Sequence, residues 1–556
     1  MMFNNDLQQR NIQQKGLVLS SPNRIEPVAP PARPLTPLIN PVAPGPGKRH
    51  RLRTALVVVV LIALLLGSVR LLSLAYDNNN QLLVRIGSQQ STLVDLRQSV
   101  PVSPYLLGTN VFPQAGTSSL DAVDSGFMNY GPTITNDLRD AHVKLLRFPG
   151  GSWGENHVYS PEQLNDFSTL LSRVGAEGMV QVQLSDPLNV QPDDLTARAK
   201  QAGDIVDYMN HLHSTQRTGK YAHAPFHPIK FWTVGNEPDQ LINPDTGEKF
   251  TVADYVKAFI QFSLVMHQTD PTIQVFGPEI SQFYGLGTGL TDAQGQLWME
   301  GFLKGVGEYE QQHPQLNFHI LDGVSFHRYQ FDDAHLASAL LMSSTGEWTY
   351  LLPSLHQLIR QDFGHDLPVA ITEINTNPNG AVPPRGLAAL WWADTLGMLM
   401  NQQVDYVAFF SAEGVDKPYP LFDTHNLHET AMLRVMQLFS HFQRNLIPLD
   451  IQREPLSLYA TQDDAHQTVS LLFVNKSSIA QLAQVSAQST LPALDPWPNL
   501  NINIQGFSML LVTLHYNGGA AAYSYIAPFT DNATAAPLSY TVCGNKTNSV
   551  ANSVPC

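Results

Sequence analysis

Eight short apolar runs recur between residues 105 and 414, with helix-like stretches between most of them, and this alternation restricts the fold more than any other feature. The runs are YLLGTNVF (105–112), VKLLRFPGG (143–151), MVQVQLS (179–185), IKFWTVGNEP (229–238), IQVFGPE (273–279), LDGVSFHRY (321–329), PVAITEIN (368–375) and VDYVAFFSAEG (404–414). Residues 161–178, 195–216, 251–269, 296–312, 385–402 and 428–443 have helical spacing. A short apolar run suits a buried parallel strand, and a parallel strand reaches its neighbour only through a crossover of helical length. Eight such units predict an α/β chain, a (β/α)8 TIM barrel over residues 104–444. A doubly wound open sheet is the architectural alternative, but no glycine-rich βα turn supports one.

After residue 444 the texture changes. LSLYATQ (456–462), TVSLLFVNKS (468–477), LAQVSAQS (482–489) and GFSMLLVTLHY (506–516) are strand-like with no helical spacing between them. They predict an all-β sandwich over 445–516. Residues 77–103 read as a linker whose VRI and TLVDL add a strand to that sandwich. Residues 517–556, rich in Ala, Ser, Asn and Thr, read as a low-complexity, loosely ordered tail.

The other end of the chain is different again. Residues 1–53 hold eight basic and two acidic side chains, and nine prolines fall within 22–46, which suits an extended tether. Residues 54–76 are almost wholly apolar, long enough for roughly 34 Å of helix. With the basic cluster ahead of them, they predict a transmembrane signal-anchor that leaves 1–53 in the cytoplasm and the body outside. Cleavage near Ala75 and secretion is the alternative. The whole chain has 32 basic and 47 acidic residues, so the part after residue 53 holds 24 against 45. So acidic a body is unsuited to nucleic acid, whose binding relies on Lys and Arg. Its two cysteines, Cys543 and Cys556, are too few for a disulfide scaffold or a cysteine-rich metal module, though they could close one loop.

In such barrels the chemistry sits where the strands end. The fourth run ends in Asn236-Glu237-Pro238 and the seventh in Thr372-Glu373-Ile374-Asn375. His327 and Tyr329 close the sixth run, and Arg147 lies at the end of the second. The fourth and seventh strands of a closed barrel face each other, so Glu237 and Glu373 can share one cleft. Two facing carboxyls are the equipment for splitting a glycosidic bond: one gives a proton to the leaving oxygen and one attacks the anomeric carbon. No metal or cofactor is needed, and the expected partner is a carbohydrate.

WTVGNEPD at the end of the fourth run and ITEIN at the end of the seventh resemble clan A retaining glycoside hydrolases. RFPGGSW and GNEP are most similar to glycoside hydrolase family 79, which includes heparanase and β-glucuronidase, with families 39 and 51 close behind. The resemblance spans roughly residues 82–516, trailing sandwich included. It implies that Glu237 is the acid/base and Glu373 the nucleophile. It also implies that Asn236 binds the sugar 2-hydroxyl, Tyr329 of a His-x-Tyr pair bonds the nucleophile, and Arg147 lies beneath it. One departure stands out. Phe409-Phe410-Ser411 ends the eighth run where such barrels often place a tryptophan under the sugar.

Competing signals are weaker. Gly150-Gly151-Ser152-Trp153-Gly154 matches a nucleophile elbow, but that motif needs a helix directly after the serine and ENHVYSP follows. His211-Leu212-His213 and His223 with His227 could suggest a metal, but alternating histidines on a helix do not share one face and no H-E-x-x-H occurs. Glu155, Asp186, Glu279 and Glu413 read as peripheral acids near strand ends, and Asn475, Asn532 and Asn545 begin glycosylation sequons. The reading is therefore a membrane-anchored, extracytoplasmic retaining glycosidase. Its alternative is an inactive carbohydrate-binding or cell-envelope protein on the same scaffold. Nothing in the sequence signals an oligomeric state.

Overall fold

The computed structural model describes residues 47–87, 90–114, 126–158, 160–184, 194–330, 338–377, 382–449, 455–487, 496–527, 535–545 and 554–555. The chain divides into two compact units, 1–69 and 70–556. A 34-residue helix, Gly47–Asn80, runs across that division. The side chains of residues 56–71 are all exposed. Among the described residues no helix is long and apolar enough to cross a membrane, so the span expected over 54–76 is not found.

In the second unit eight parallel strands close a barrel, in the class the alternation predicts. They are β1 Gly108–Asn110, β2 Leu145–Phe148, β3 Glu177–Val182, β4 Phe231–Val234, β5 Gln274–Ile280, β6 Gly323–Tyr329, β7 Val369–Asn375 and β8 Tyr406–Phe409. The side-chain period of two decides what fills the barrel. Leu145, Met179, Phe231, Phe276, Ala370 and Tyr406 point inward and form one apolar layer. Gly323 is required there, because a Cβ would land on the Phe276 ring. Two residues further along their strands stand Arg147, Gln181 and Thr233, also buried. The polar centre thus rests on an apolar floor.

Local signals set the helices. Ser160 and Gln163 form a capping box at the start of Pro161–Val174, and Gly175 ends that helix at φ +74°. Thr251 and Asp254 do the same for Val252–Thr269.

The sandwich draws on both ends of the chain. One sheet orders the strands Ser539–Asn545, Gly519–Ile526, Ser508–His515, Thr468–Asn475, Leu456–Gln462, Asn445–Ile447 and Val100–Pro101. The other orders Gln90–Asp95, Gln81–Ile86, Gln481–Ala487, Leu500–Ile504 and Val554–Pro555. Leu82, Val84, Phe473, Val485, Ile502 and Val512 meet in the core between them. Two expectations change. The segment before the barrel gives three strands rather than one. The tail after residue 516 is not a loose end, since Gly519–Ile526 pairs with Ser508–His515 and Ser539–Asn545 follows it as the edge strand of the seven-stranded sheet. Alanine and serine are compatible with a strand once a preformed sheet edge supplies the hydrogen bonds.

Helix Arg385–Asn401 of the barrel meets this sandwich through a buried ion pair. Lys476 Nζ lies 3.0 Å from Asp394 Oδ2, which also accepts from Thr345 Oγ1 at 2.6 Å. The Tyr459 hydroxyl donates to Asp394 Oδ1 at 2.6 Å. Next to Lys476, the Asn475 amide is fully buried and donates to the carbonyls of Ile479 and Gln505, so this sequon offers no accessible nitrogen in the folded chain. The side chains of Asn532 and Asn545 lie outside the described ones. Cys543 is buried and disulfide-bonded; the chain's other cysteine, Cys556, lies outside the described residues.

Candidate active site

The turn after β4 is held in an uncommon backbone shape. Gly235 has φ +75° and Glu237 φ +50°, and Glu279 after the core of β5 has φ +59°. Left-handed conformations cost a non-glycine residue free energy, of order 1–3 kcal/mol where the region is sparsely populated, so something must hold them. The Glu237 N–H donates to the Glu279 carbonyl at 2.9 Å, joining the two turns. The Asp239 carboxylate accepts from Ser281 N at 2.9 Å and Ser281 Oγ at 2.6 Å, joining them again. Burial pushes the Asp239 carboxyl up, against the pull of those hydrogen bonds.

Glu373 reaches the same space from β7, past a register shift between Ile371 and Glu373. Its Oε1 accepts from Arg147 Nη1 at 2.9 Å and its Oε2 from the Tyr329 hydroxyl at 2.7 Å. His327 Nδ1 lies 3.0 Å from Glu237 Oε1 and 3.5 Å from Glu373 Oε2. One oxygen of Glu237, one of Glu373 and a ring nitrogen of His327 all fall within 4.8 Å of one another. The Glu237 side chain keeps 19% of its surface open, against 4% for Glu373. All six site residues singled out in the sequence meet here.

Arg147 is the hub. Its Nη1 also donates to Asn110 Oδ1 at 2.8 Å, and its Nη2 donates to Glu279 Oε2 at 2.7 Å and Asn236 Oδ1 at 2.9 Å. With its oxygen so engaged, Asn236 has its NH2 unbonded among the described residues. Burial alone would lower the Arg147 and His327 pKa values. The carboxylates around them prevail: Arg147 is raised, and His327 goes to about 10. Burial and the nearby Glu373 and Glu237 push the Tyr329 hydroxyl well above its usual range.

Sequence reasoning missed Asn110 and treated Glu279 as peripheral. Glu279 is fully buried at the centre, where burial favours its neutral form but Arg147 and His327 bring its pKa down to about 2. A strand-end Glu in IQVFGPE was visible; the direction it points was not. Of the other acids, Glu155 accepts from Gln181 Nε2 and Leu184 N, both at 3.1 Å. Glu413 takes the Asn129 N–H at 2.8 Å, and burial pushes its carboxyl to about 7. Asp186 lies outside the described residues.

The missing tryptophan is replaced by Phe410, whose ring centroid is 6.2 Å from that of Tyr329 and 6.0 Å from that of Phe112. Gly151, at φ +58°, makes room for it: a Cβ would sit 3.2 Å from the Phe410 ring and 3.3 Å from Glu373 Oε1. The elbow motif is corrected in one respect, since a four-residue helix, Trp153–Asn156, does follow Ser152. Yet the Ser152 side chain has no histidine hydrogen-bonded to it among the described residues, as a serine nucleophile requires. By distance alone Glu237, His327 and Glu373 could bracket a cation.

The same architecture is found in solved structures. A family 51 α-L-arabinofuranosidase from Bifidobacterium longum superposes with a TM-score of 0.52 at 15% identity, over 75% of this chain and 98% of that one. A family 44 xyloglucanase from Paenibacillus polymyxa gives 0.51 at 13%, over 75% and 97%. What this chain shares with both is the fold. A bifunctional glucanase-xylanase, CelM2, from a metagenome library also shares it, with a TM-score of 0.51 at 14% identity over 75% and 97% of the two chains. At these identities the likeness is one of fold, and the family 79 resemblance has no counterpart in these three structures. No family model matches the chain, and no curated protein matches it.

Proposed function

We propose that the chain is a retaining glycoside hydrolase acting on an oligo- or polysaccharide. The observation that carries this is the spacing of the carboxyls. The nearest oxygens of Glu237 and Glu373 lie within 4.8 Å. Retaining pairs stand about 5–5.5 Å apart, whereas inverting pairs need about 6.5–9.5 Å to admit a water. Glu373, gripped by Arg147 and Tyr329, attacks the anomeric carbon while the more open Glu237 gives its proton to the leaving oxygen. Water, losing a proton to Glu237, then displaces Glu373 and frees the sugar. The unbonded Asn236 NH2 suits the sugar 2-hydroxyl, and Phe410 with Tyr329 offers an aromatic wall for the ring.

The test separates the two carboxyls on activated aryl glycosides. Glu237→Ala should accumulate a glycosyl-enzyme and be rescued by azide with retained configuration. Glu373→Ala should form no such intermediate and give the inverted azide product. Wild-type protein that turns over no aryl glycoside would leave the inactive carbohydrate-binding scaffold as the better reading.

A uronic acid substrate is the finer expectation from the family 79 resemblance. A glucuronide turned over no better than the matching glucoside would remove that reading. Attachment to a membrane is supported by the apolar side chains of residues 56–71, exposed on every side of their helix. Protease added to intact cells should then digest the barrel and spare residues 1–53.

A further inference from the structure

The two-carboxylate chemistry gives no task to Glu279, the carboxylate that Arg147 and His327 share. Glu279 Oε2 lies 2.7 Å from Arg147 Nη2 and 3.5 Å from His327 Nε2, and its Oε1 accepts from the Thr372 hydroxyl at 2.7 Å. Arg147 and His327 are the two cations that touch the catalytic pair. Arg147 bonds Glu373, and His327 Nδ1 bonds Glu237. Both therefore lean on Glu279 with their far sides. Among the described residues His327 Nε2 makes no hydrogen bond, and the Glu279 carboxylate is the one group at ion-pair distance from it.

We propose that Glu279 is a positioning residue of the glycosidase reaction, holding the Arg147 guanidinium and the His327 ring where they grip Glu373 and Glu237. The role rests on the retaining reading above. Its physical content is charge and orientation together. His327 is faced by Glu237 beyond β4, Glu279 of β5 and Glu373 of β7. Arg147 of β2 and Tyr329 of its own strand complete the surroundings. Held between the carboxylates of Glu279 and Glu373, a buried imidazole keeps both protons, so its Nδ1–H faces the Glu237 oxygen whether that acid is protonated or not. With Glu279 neutral, burial and Arg147 would favour the uncharged ring. That ring has one N–H to place, and either nitrogen could hold it.

The experiment reads the ring directly. Protein labelled with 15N-histidine is titrated from pH 6 to 9.5, with His327 assigned by the signal lost in His327→Gln. The wild type should show the doubly protonated ring through pH 9. Glu279→Gln should show the neutral ring before pH 8, and its kcat should fall about tenfold per pH unit above that point with KM nearly unchanged. Glu279→Asp, which restores the charge, should restore the charged ring. A neutral ring in the wild type at pH 7.5 would overturn the proposal, whether or not any variant folds. So would a Glu279→Gln ring that stays charged through pH 9. The ring signal needs no turnover. A protein that shows the expected titrations but cleaves no glycoside would sink the glycosidase reading, not the placement of Glu279.

Discussion

At the scale of single residues, the site is a set of charges that would be prohibitive one at a time. A buried charge is stable only when paired and hydrogen-bonded. Arg147, Glu279, His327 and Glu373 are each buried and each other's partners. Their pH dependence has a definite sign. His327 goes from an ordinary 6.5 to about 10, so its contribution to stability is complete below pH 6.5 and is lost as pH rises toward 10. Glu279 goes from 4.5 to about 2, so its contribution is complete above pH 4.5 and is lost as pH falls toward 2. The margin in melting temperature of the wild type over His327→Gln should thus shrink steadily from pH 6.5 to 9.5; a constant margin would contradict this. Tyr329→Phe removes one hydrogen bond to an ionised group, worth about 1.5–3 kcal/mol. Turnover should drop roughly ten- to a hundredfold, and the melting temperature should fall only by what that one bond supplies, since the ring stays packed against Phe410.

At the scale of elements, what joins barrel to sandwich is testable. Asp394 sits mid-way along helix Arg385–Asn401 and is fully buried against Lys476 of the sandwich turn. Removing one member of such a pair strands the other in a dry environment, at a cost of about 3–5 kcal/mol. Asp394→Ala should therefore lower the denaturant midpoint markedly. The double change Asp394→Leu with Lys476→Met should recover much of the loss, because the desolvation cost goes with the charges. No recovery would show that the Tyr459 and Thr345 hydroxyls carry the contact instead. The elements around β4 and β5 show why the site was only partly legible. GNEP and TEIN mark strand ends on opposite sides of a barrel, so Glu237 and Glu373 could be paired from spacing. Glu279 follows the same pattern, but whether its side chain enters the centre depends on a left-handed backbone at φ +59°. No residue type near it announces that conformation.

At the scale of the whole molecule, the strands before the barrel belong to the sandwich behind it. Gln81–Ile86 lies between Gln90–Asp95 and Gln481–Ala487 in one sheet. Deleting residues 1–80 should leave a folded chain with full activity on soluble substrates. Deleting residues 1–103 removes strands from both sheets and exposes the Leu82 and Val84 layer's partners. That chain should aggregate or melt well below the first. Circular dichroism melting of the two truncations decides it, and equal stability would mean the amino-terminal strands are dispensable.

The sequence by itself determined what is local and periodic. Eight apolar runs with helical stretches between them specify a closed α/β barrel, because parallel strands need crossovers. Polar residues at the strand ends specify where chemistry can occur, because that is the face the barrel opens. Residues 445–516 declared strands by their alternation. What only the tertiary structure decided is whatever depends on partners distant in the chain. The strands after residue 516 form because a sheet edge is waiting for them, although their own alanines and serines favour none. The pairing of Asp394 with Lys476 arises only once barrel and sandwich meet. The central role of Glu279 arises because Arg147, 132 residues away, and His327 converge on it from other strands. A charge is placed by its neighbours, and those neighbours are assembled by folding.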